Sequence, residues 1–260
     1  MGSGIVTSTL VVARRALLKF IRTPQLVVFG SVQMVLFLVI FRYVFGGAIG
    51  TASGISYVNF LVPGFIATGV LFVGAGVSVG VAEDMEQGVI DRLRSLPIPR
   101  ASVLIGRFLA DTATLVWSLA LGVAAGFLVG FRLHGSVLDA LAAFGLCIVF
   151  GCAVGWLFLC LGMFAGNAQA AQAVGFLVIP LAFISSAYVP AETMPSWMRV
   201  VAEHSPVTYM VDAARSLTLG PDAASALGHP ASFFVIRALT WAAAFVLVFA
   251  PLTVARFKRA

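Results

Sequence analysis

Only two lysines occur among the 260 residues, Lys19 and Lys258, and they follow Leu18 and Phe257. Neither completes a Gly-x-x-x-x-Gly-Lys-[Ser/Thr] loop, whose lysine must reach the nucleotide phosphates, so the chain does not bind ATP in that manner by itself. Charge of either sign is scarce: Asp, Glu, Lys and Arg make up 10% of the chain, against about 25% in a soluble domain. His-Glu-x-x-His and Gly-x-Ser-x-Gly are both absent, which removes the zinc-protease and serine-hydrolase readings. The three histidines, His134, His204 and His229, are scattered and read as interfacial polar residues rather than ligands. Cysteine is rare too. Cys147, Cys152 and Cys160 share one apolar stretch, at spacings that suit neither a zinc site nor a disulfide framework. They read as small buried residues. No catalytic, metal or cofactor site is expected on this chain.

What the sequence has in abundance is apolar surface. Hydrophobic residues are 61% of it and the mean hydropathy is +1.07. A globule in water cannot hide that much apolar area, so lipid must be the solvent. At about 20 residues per span, the length allows roughly six spans with loops. No early apolar stretch ends in a small-residue cleavage site, so the first long run is expected to be a retained span.

Residues 4–23 carry Arg14, Arg15, Lys19 and Arg22. On a helical wheel Arg15, Lys19 and Arg22 lie opposite Leu10, Ala13, Leu17, Phe20 and Ile21. That pattern predicts an amphipathic helix in the membrane interface, cations toward the headgroups. Pro24 ends it. Apolar segments follow at 25–45, 57–82, 103–131, 137–165, 168–189 and 231–255. Pro63, with many glycines, predicts a kink or break in the second, and Pro180 interrupts the fifth. Small residues recur every four positions, as at Gly76 and Gly80, Gly122, Gly126 and Gly130, Gly151 and Gly155, and Gly162 and Gly166. Such spacing lets helices approach closely in lipid. The run Gly74–Gly80 is therefore read as packing, because it opens no soluble strand–helix unit.

The net charge of +6 does not indicate nucleic acid, because the cations sit beside apolar runs. Eleven of the sixteen Lys and Arg fall in the N-terminal segment, the loop after the second span and the C-terminus. Arg42, Arg132, Arg199, Arg215 and Arg237 are left for the other side. The cation-rich side belongs in the cytoplasm, which places both termini there.

Two segments carry more than topology. Residues 83–100 hold Glu83, Asp84, Glu86, Asp91, Arg92 and Arg94, with Val89, Ile90, Leu93 and Leu96 forming an apolar edge. This reads as a short interfacial helix ended by Pro97-Ile98-Pro99, either a plain connector or a docking helix. Residues 190–217 are too polar to span and too apolar for a free loop. They predict two short helices dipping into the outer interface, with Trp197 and Tyr209 at headgroup depth. Such a segment serves as a surface cap or as an outer gate, and Trp197, Glu203, His204 and Tyr209 are its candidate gate residues.

The order of these features resembles the type-2 ABC exporter permeases, and among them the daunorubicin-resistance-type drug and lipid exporters. The likeness rests on Glu86-Gln-Gly-Val-Ile-Asp-Arg-Leu-Arg-Ser-Leu-Pro97, on Met194-Pro195 with Trp197, and on Ser205-Pro206-Val-Thr-Tyr-Met-Val-Asp-Ala-Ala-Arg215. It covers essentially the whole chain as one transmembrane domain, residues 1–260. The resemblance implies an all-α integral membrane protein with an interfacial N-terminal helix, six transmembrane helices, a cytoplasmic coupling helix after span two and extracellular re-entrant helices between spans five and six. It further implies that Glu83, Asp84, Glu86, Gly88, Asp91, Arg92 and Arg94 belong to the contact with an ATPase. Where the family often has asparagine before the proline of the outer segment, this chain has Ser205.

The function expected on that basis is export of a lipophilic drug, lipid or glycolipid across a bacterial plasma membrane. Mg-ATP would be bound by separate ATPase subunits, two per complex, beside a second permease copy or a related sister. Asn167, Gln169 and Gln172, which open span five, are the polar candidates to line the path, although Asn167 and Gln169 equally suit a cytoplasmic turn. The alternative is a secondary, ion-coupled carrier or a channel. Such carriers usually hold charges deep in their spans, whereas Arg42, Asp111, Asp139 and Arg237 all lie within a few turns of a span end. Asp111 follows Arg107 by four residues, which predicts an ion pair on one helix face.

Overall fold

The computed structural model of the chain describes residues 5–22, 24–46, 56–95 and 100–259. Helix is the only regular structure among them. Helix α1 (Ile5–Ile21) is followed by α2 (Pro24–Ile40), which runs on into a π-turn at Phe41–Phe45. Next come α3 (Tyr57–Glu86), α4 (Val89–Ser95), α5 (Arg100–Leu128) and α6 (Val137–Ala165). Helices α7 (Ala168–Phe176) and α8 (Val178–Phe183) make a broken pair. A 3-10 turn (Ala191–Thr193) leads to α9 (Ser196–His204), α10 (Pro206–Leu219), α11 (Pro221–Ala226) and α12 (Ala231–Arg259).

Four helices are long and apolar enough to cross a membrane: Tyr57–Glu86, Ser102–Leu128, Val137–Ala165 and Ala231–Phe257. Half of the apolar window is buried in α3 and α6, against 17% in α12, so α3 and α6 are central and α12 is the most exposed. Exposed Ile236, Leu247, Val248 and Leu252 on α12 are the surface that lipid would cover. The fifth apolar segment is shorter than predicted. Its helices cover Ala168–Phe183, about 24 Å at 1.5 Å per residue, and they break at Leu177, where Pro180 has no N–H to offer to the preceding turn. In the second segment the expected break is absent. Pro63 lies inside α3, yet the helix is unbroken.

Glycine sets how closely the central helices meet. A Cβ on Gly162 of α6 would collide with the Ser78 carbonyl oxygen of α3, so the two backbones touch there. Gly76 and Gly155, by contrast, have open space beside them, and the four-residue repeat is not a contact at every step. Replacing Gly162 with valine is expected to cost about 1–3 kcal/mol by overpacking against backbone. The check is the melting temperature of the detergent-purified chain, with Gly155→Val as the tolerated control.

Helix α1 buries Thr9, Val12 and Ala13. Gly106 of α5, lacking a side chain, makes room for Thr9 and Val12. Leu10 and Val11 point away from the protein. Arg14 and Arg22 are exposed; the side chain of Lys19 lies outside the described residues.

Candidate functional site

Helices α1, α2, α3 and α5 leave between them a cleft of about 840 Å³, within the range of small-molecule sites. Its walls are apolar: Met34 and Phe37 of α2, Phe72, Val73 and Val77 of α3, and Leu115 and Leu119 of α5. Val89, Ile90 and Leu93 of α4 form one end. Phe41, Phe183 and Tyr188 form the other.

The α4 end carries a charge cluster. Arg107 of α5 donates from Nε to Asp111 Oδ2 at 3.2 Å and from Nη1 to the Gly80 carbonyl at 3.2 Å. Nη1 also pairs with the Asp84 carboxylate of α3. Arg15 of α1 lies 3.6 Å from the other Asp84 oxygen. One arginine thus ties α5 to α3, and one aspartate ties α3 to α1. The predicted pair Arg107–Asp111 is present. Asp84 belongs to α3 rather than to the short helix, and Arg15, which stays exposed, reaches it from α1.

Helix α3 runs on to Glu86, and Gly88, at φ +65°, makes the turn into α4. The short helix is therefore Val89–Ser95, with Glu83, Asp84 and Glu86 in the last turn of the helix before it. Its apolar edge is as predicted: Ile90 is buried and Leu93 packs with Val77, Val81 and Val103. Glu86 Oε2 accepts from the Ala168 backbone N–H at 3.3 Å, close to the start of α7. Arg92 is exposed. The side chains of Asp91 and Arg94, and residues Leu96 to Pro99, lie outside the described residues.

The far end is built around a non-helical strap, Ser185–Val189, between α8 and the 3-10 turn that leads to α9. Ser185, Ser186, Ala187 and Tyr188 are all buried. Buried backbone without a helix needs partners from elsewhere, and they come from neighbouring helices. Arg215 of α10 donates from Nη2 to the Ser186 carbonyl at 2.9 Å, from Nε to the Phe60 carbonyl at 3.2 Å and from Nη1 to Asp212 Oδ1 at 2.7 Å. Its guanidinium stacks 3.7 Å above the Phe60 ring and is 0% exposed. Ser186 Oγ donates to the same Asp212 oxygen at 2.7 Å. The Tyr57 hydroxyl donates to the Tyr188 carbonyl at 3.2 Å, and Thr68 Oγ1 lies 3.0 Å from Tyr188 Oη. Burial pushes the Asp212 carboxyl up from its ordinary value, while Arg215 and the Ser186 hydroxyl act against that shift.

The other predicted residues are more dispersed. Asn167 caps α7, accepting from the Ala170 N–H at 2.8 Å. It is exposed, as are Gln169 and Gln172, and none of the three lines the cleft. The two predicted outer helices are α9 and α10, and Ser205 caps the second by accepting from the Val207 N–H at 3.2 Å. Trp197 is 66% exposed, but Tyr209 is 8% exposed, in contact with Phe233 and Arg237 of α12. Trp197 thus faces outward from the protein, while Tyr209 is covered because α12, α6 and α3 pack on α10. Glu203 pairs with Arg199 at 2.6 Å on the surface, and His204 Nδ1 lies 2.9 Å from the Val200 carbonyl. Along the sequence Arg215 and Asp212 read only as a topology cation and part of the 205–215 motif, and Tyr188 carries no site reading. The available signal was an Asp-x-x-Arg pair, one helical turn apart, in a segment otherwise rich in apolar residues.

Comparison with known proteins agrees with this architecture. The profile of the ABC-2 type transporter family matches residues 7–219. The chain is 32% identical over 255 residues to the daunorubicin resistance ABC transporter permease protein DrrB1 of Streptomyces coeruleorubidus, covering 97% of this chain and 87% of that one. It is 27% identical over 257 residues to the probable doxorubicin resistance ABC transporter permease protein DrrC of Mycobacterium tuberculosis, covering 98% and 90%. It is 26% identical over 192 residues to the inner membrane transport permease YadH of Escherichia coli, covering 73% of each. With apolar helices of membrane-spanning length and a family match over most of its residues, the chain is a multi-pass transport component rather than an enzyme, and it belongs to the ABC-2 type transporter family.

Proposed function

We propose that this chain is the permease of an ATP-driven exporter that moves a lipophilic compound out across a bacterial plasma membrane, with Mg-ATP bound and hydrolysed on a separate subunit. The six crossings are α2 with its π-turn, α3, α5, α6, the α7–α8 pair and α12, and both termini are cytoplasmic. Two ATPase subunits dock on two α4 helices, one from this chain and one from a second copy or a sister permease. The cleft is the path. The observation that carries this reading is that Val89, Ile90 and Leu93 of the charged-loop helix form part of the cleft wall. A displacement imposed on α4 therefore reshapes the path directly, biasing it between inward and outward access. Relatives named for daunorubicin and doxorubicin resistance favour a drug among the lipophilic substrates.

Purification of the tagged chain from its native membranes in mild detergent is expected to bring down a P-loop ATPase at one copy per permease. A preparation free of ATPase, even after gentle crosslinking, would turn the assignment to a secondary carrier. Reversal of two charges on α4, Asp91→Arg with Arg92→Asp, is expected to lower transport at least about tenfold, a loss of about 1.4 kcal/mol of coupling. Membrane levels should be unchanged, since Arg92 is exposed. Wild-type transport by that double variant removes α4 from the coupling role.

A further inference from the structure

We infer that the strap Ser185–Val189 is the outer gate of the cleft and that Arg215, with Asp212 and Ser186, is the latch that holds it shut; this rests on the cleft being the transport path. Tyr188 closes the cleft end, stacked with Phe41 at 5.1 Å and Phe183 at 4.9 Å between ring centroids. The gate residues are thus on the strap and at the ends of α2 and α8. The exposed Trp197, Glu203 and His204 lie outside the cleft lining.

Three observations make the strap a movable part. Its neighbours in the stack sit where regular helix stops, Phe41 opening the π-turn at Phe41–Phe45 and Phe183 closing α8, and π-turns concentrate at functional sites. The bonds reaching the Ser186 and Tyr188 carbonyls come from side chains, Arg215 and Tyr57. Releasing side-chain bonds frees the strap without unwinding a helix. A buried ion pair is also a poor source of stability but a good two-position device, since each partner is costly to leave unpaired. Arg215 reads both sides of the closure, because it bonds the strap at Ser186 and the outer end of α3 at Phe60. Gly64 lets the strap lie flat on α3, where a Cβ would collide with the Ala187 carbonyl oxygen. When α3 shifts with α4, the Phe60 carbonyl moves relative to Ser186, and Arg215 cannot hold both.

The test uses Ser118→Cys as a reporter. Ser118 lines the cleft one helical turn from Gly122, which packs against Ile66 and Met34. Spheroplasts producing the reporter permease with its ATPase are treated from outside with a membrane-impermeant maleimide. The permease without that substitution supplies the blank for the three cysteines of α6. With the latch intact, labelling is expected to be slow when ATP is depleted and at least about tenfold faster when the cells are energised, the ratio that a shift in the open population would give. With Arg215→Lys, which keeps the charge but loses the fork, labelling is expected to be fast in both states. Ser186→Ala, which deletes one hydroxyl, should act in the same direction and serves if the lysine variant does not reach the membrane. Latch variants that label as slowly as the intact reporter under ATP depletion, while the energised reporter labels fast, overturn the latch and leave the export reading standing. Labelling that ignores energisation in every variant overturns the transport path and the gate with it.

Discussion

Arg215→Ala is expected to remove most of the folded permease from the membrane. The guanidinium is fully buried and satisfies the Asp212 carboxylate and the carbonyls of Ser186 and Phe60. Alanine leaves an uncompensated charge and two orphaned acceptors. Breaking a buried pair in this way costs about 3–5 kcal/mol, which is a large part of a total stability of about 5–15 kcal/mol. The contrast is Arg199→Ala, which breaks the surface pair with Glu203 and should cost less than about 1 kcal/mol. Immunodetection of membrane fractions and thermal melting in detergent read both. Asp212→Leu with Arg215→Met should recover part of the loss, since the stranded charge is gone, but not all of it, since the carbonyls remain unpaired. Parent-like melting of Arg215→Ala would refute this account of the outer segment.

The second large effect is expected at Arg107→Ala. One arginine there serves two carboxylates and a backbone carbonyl across α3 and α5, with 17% of its side chain exposed. Among the described residues, its removal leaves Asp84 with Arg15 and leaves Asp111 without its ion-pair partner inside an apolar helix. The expected cost is about 3 kcal/mol, the lower end for a broken buried pair because the cluster is partly exposed. Transport should fall in proportion to the folded protein and further through the loosened link between α3 and α5. Adding Asp111→Asn removes the stranded charge and should restore about 1 kcal/mol or more, measured as a double-mutant cycle in melting. Additive effects of the two substitutions would mean that Asp111 does not depend on Arg107.

Much of this protein is legible along the chain itself. Hydropathy is a local average, so the helices at 57–86, 137–165 and 231–259 and the lipid-facing character of the chain follow from composition along the segment. The pair Arg107–Asp111 follows from helical spacing alone, as does the apolar edge of α4. The motifs around 86–97 and 205–215 carried the family. What the sequence could not decide is who meets whom across helices. Asp84 reads along the chain as one acidic residue of the coupling segment, and only the packing of α1 and α5 against α3 makes it the centre of an ion cluster. Arg215 counted as one cation on the outer side, and only the fold brings it to the Phe60 carbonyl, 155 residues away. Asn167, Gln169 and Gln172 are path candidates by polarity, while the cleft has mostly apolar walls, with a charge cluster at the α4 end, from helices distant in sequence. The reason is physical. In lipid every apolar face is equally well solvated, so helix partners are selected by shape, by glycine-permitted approach and by buried polar bonds, and those are properties of surfaces that no single segment contains.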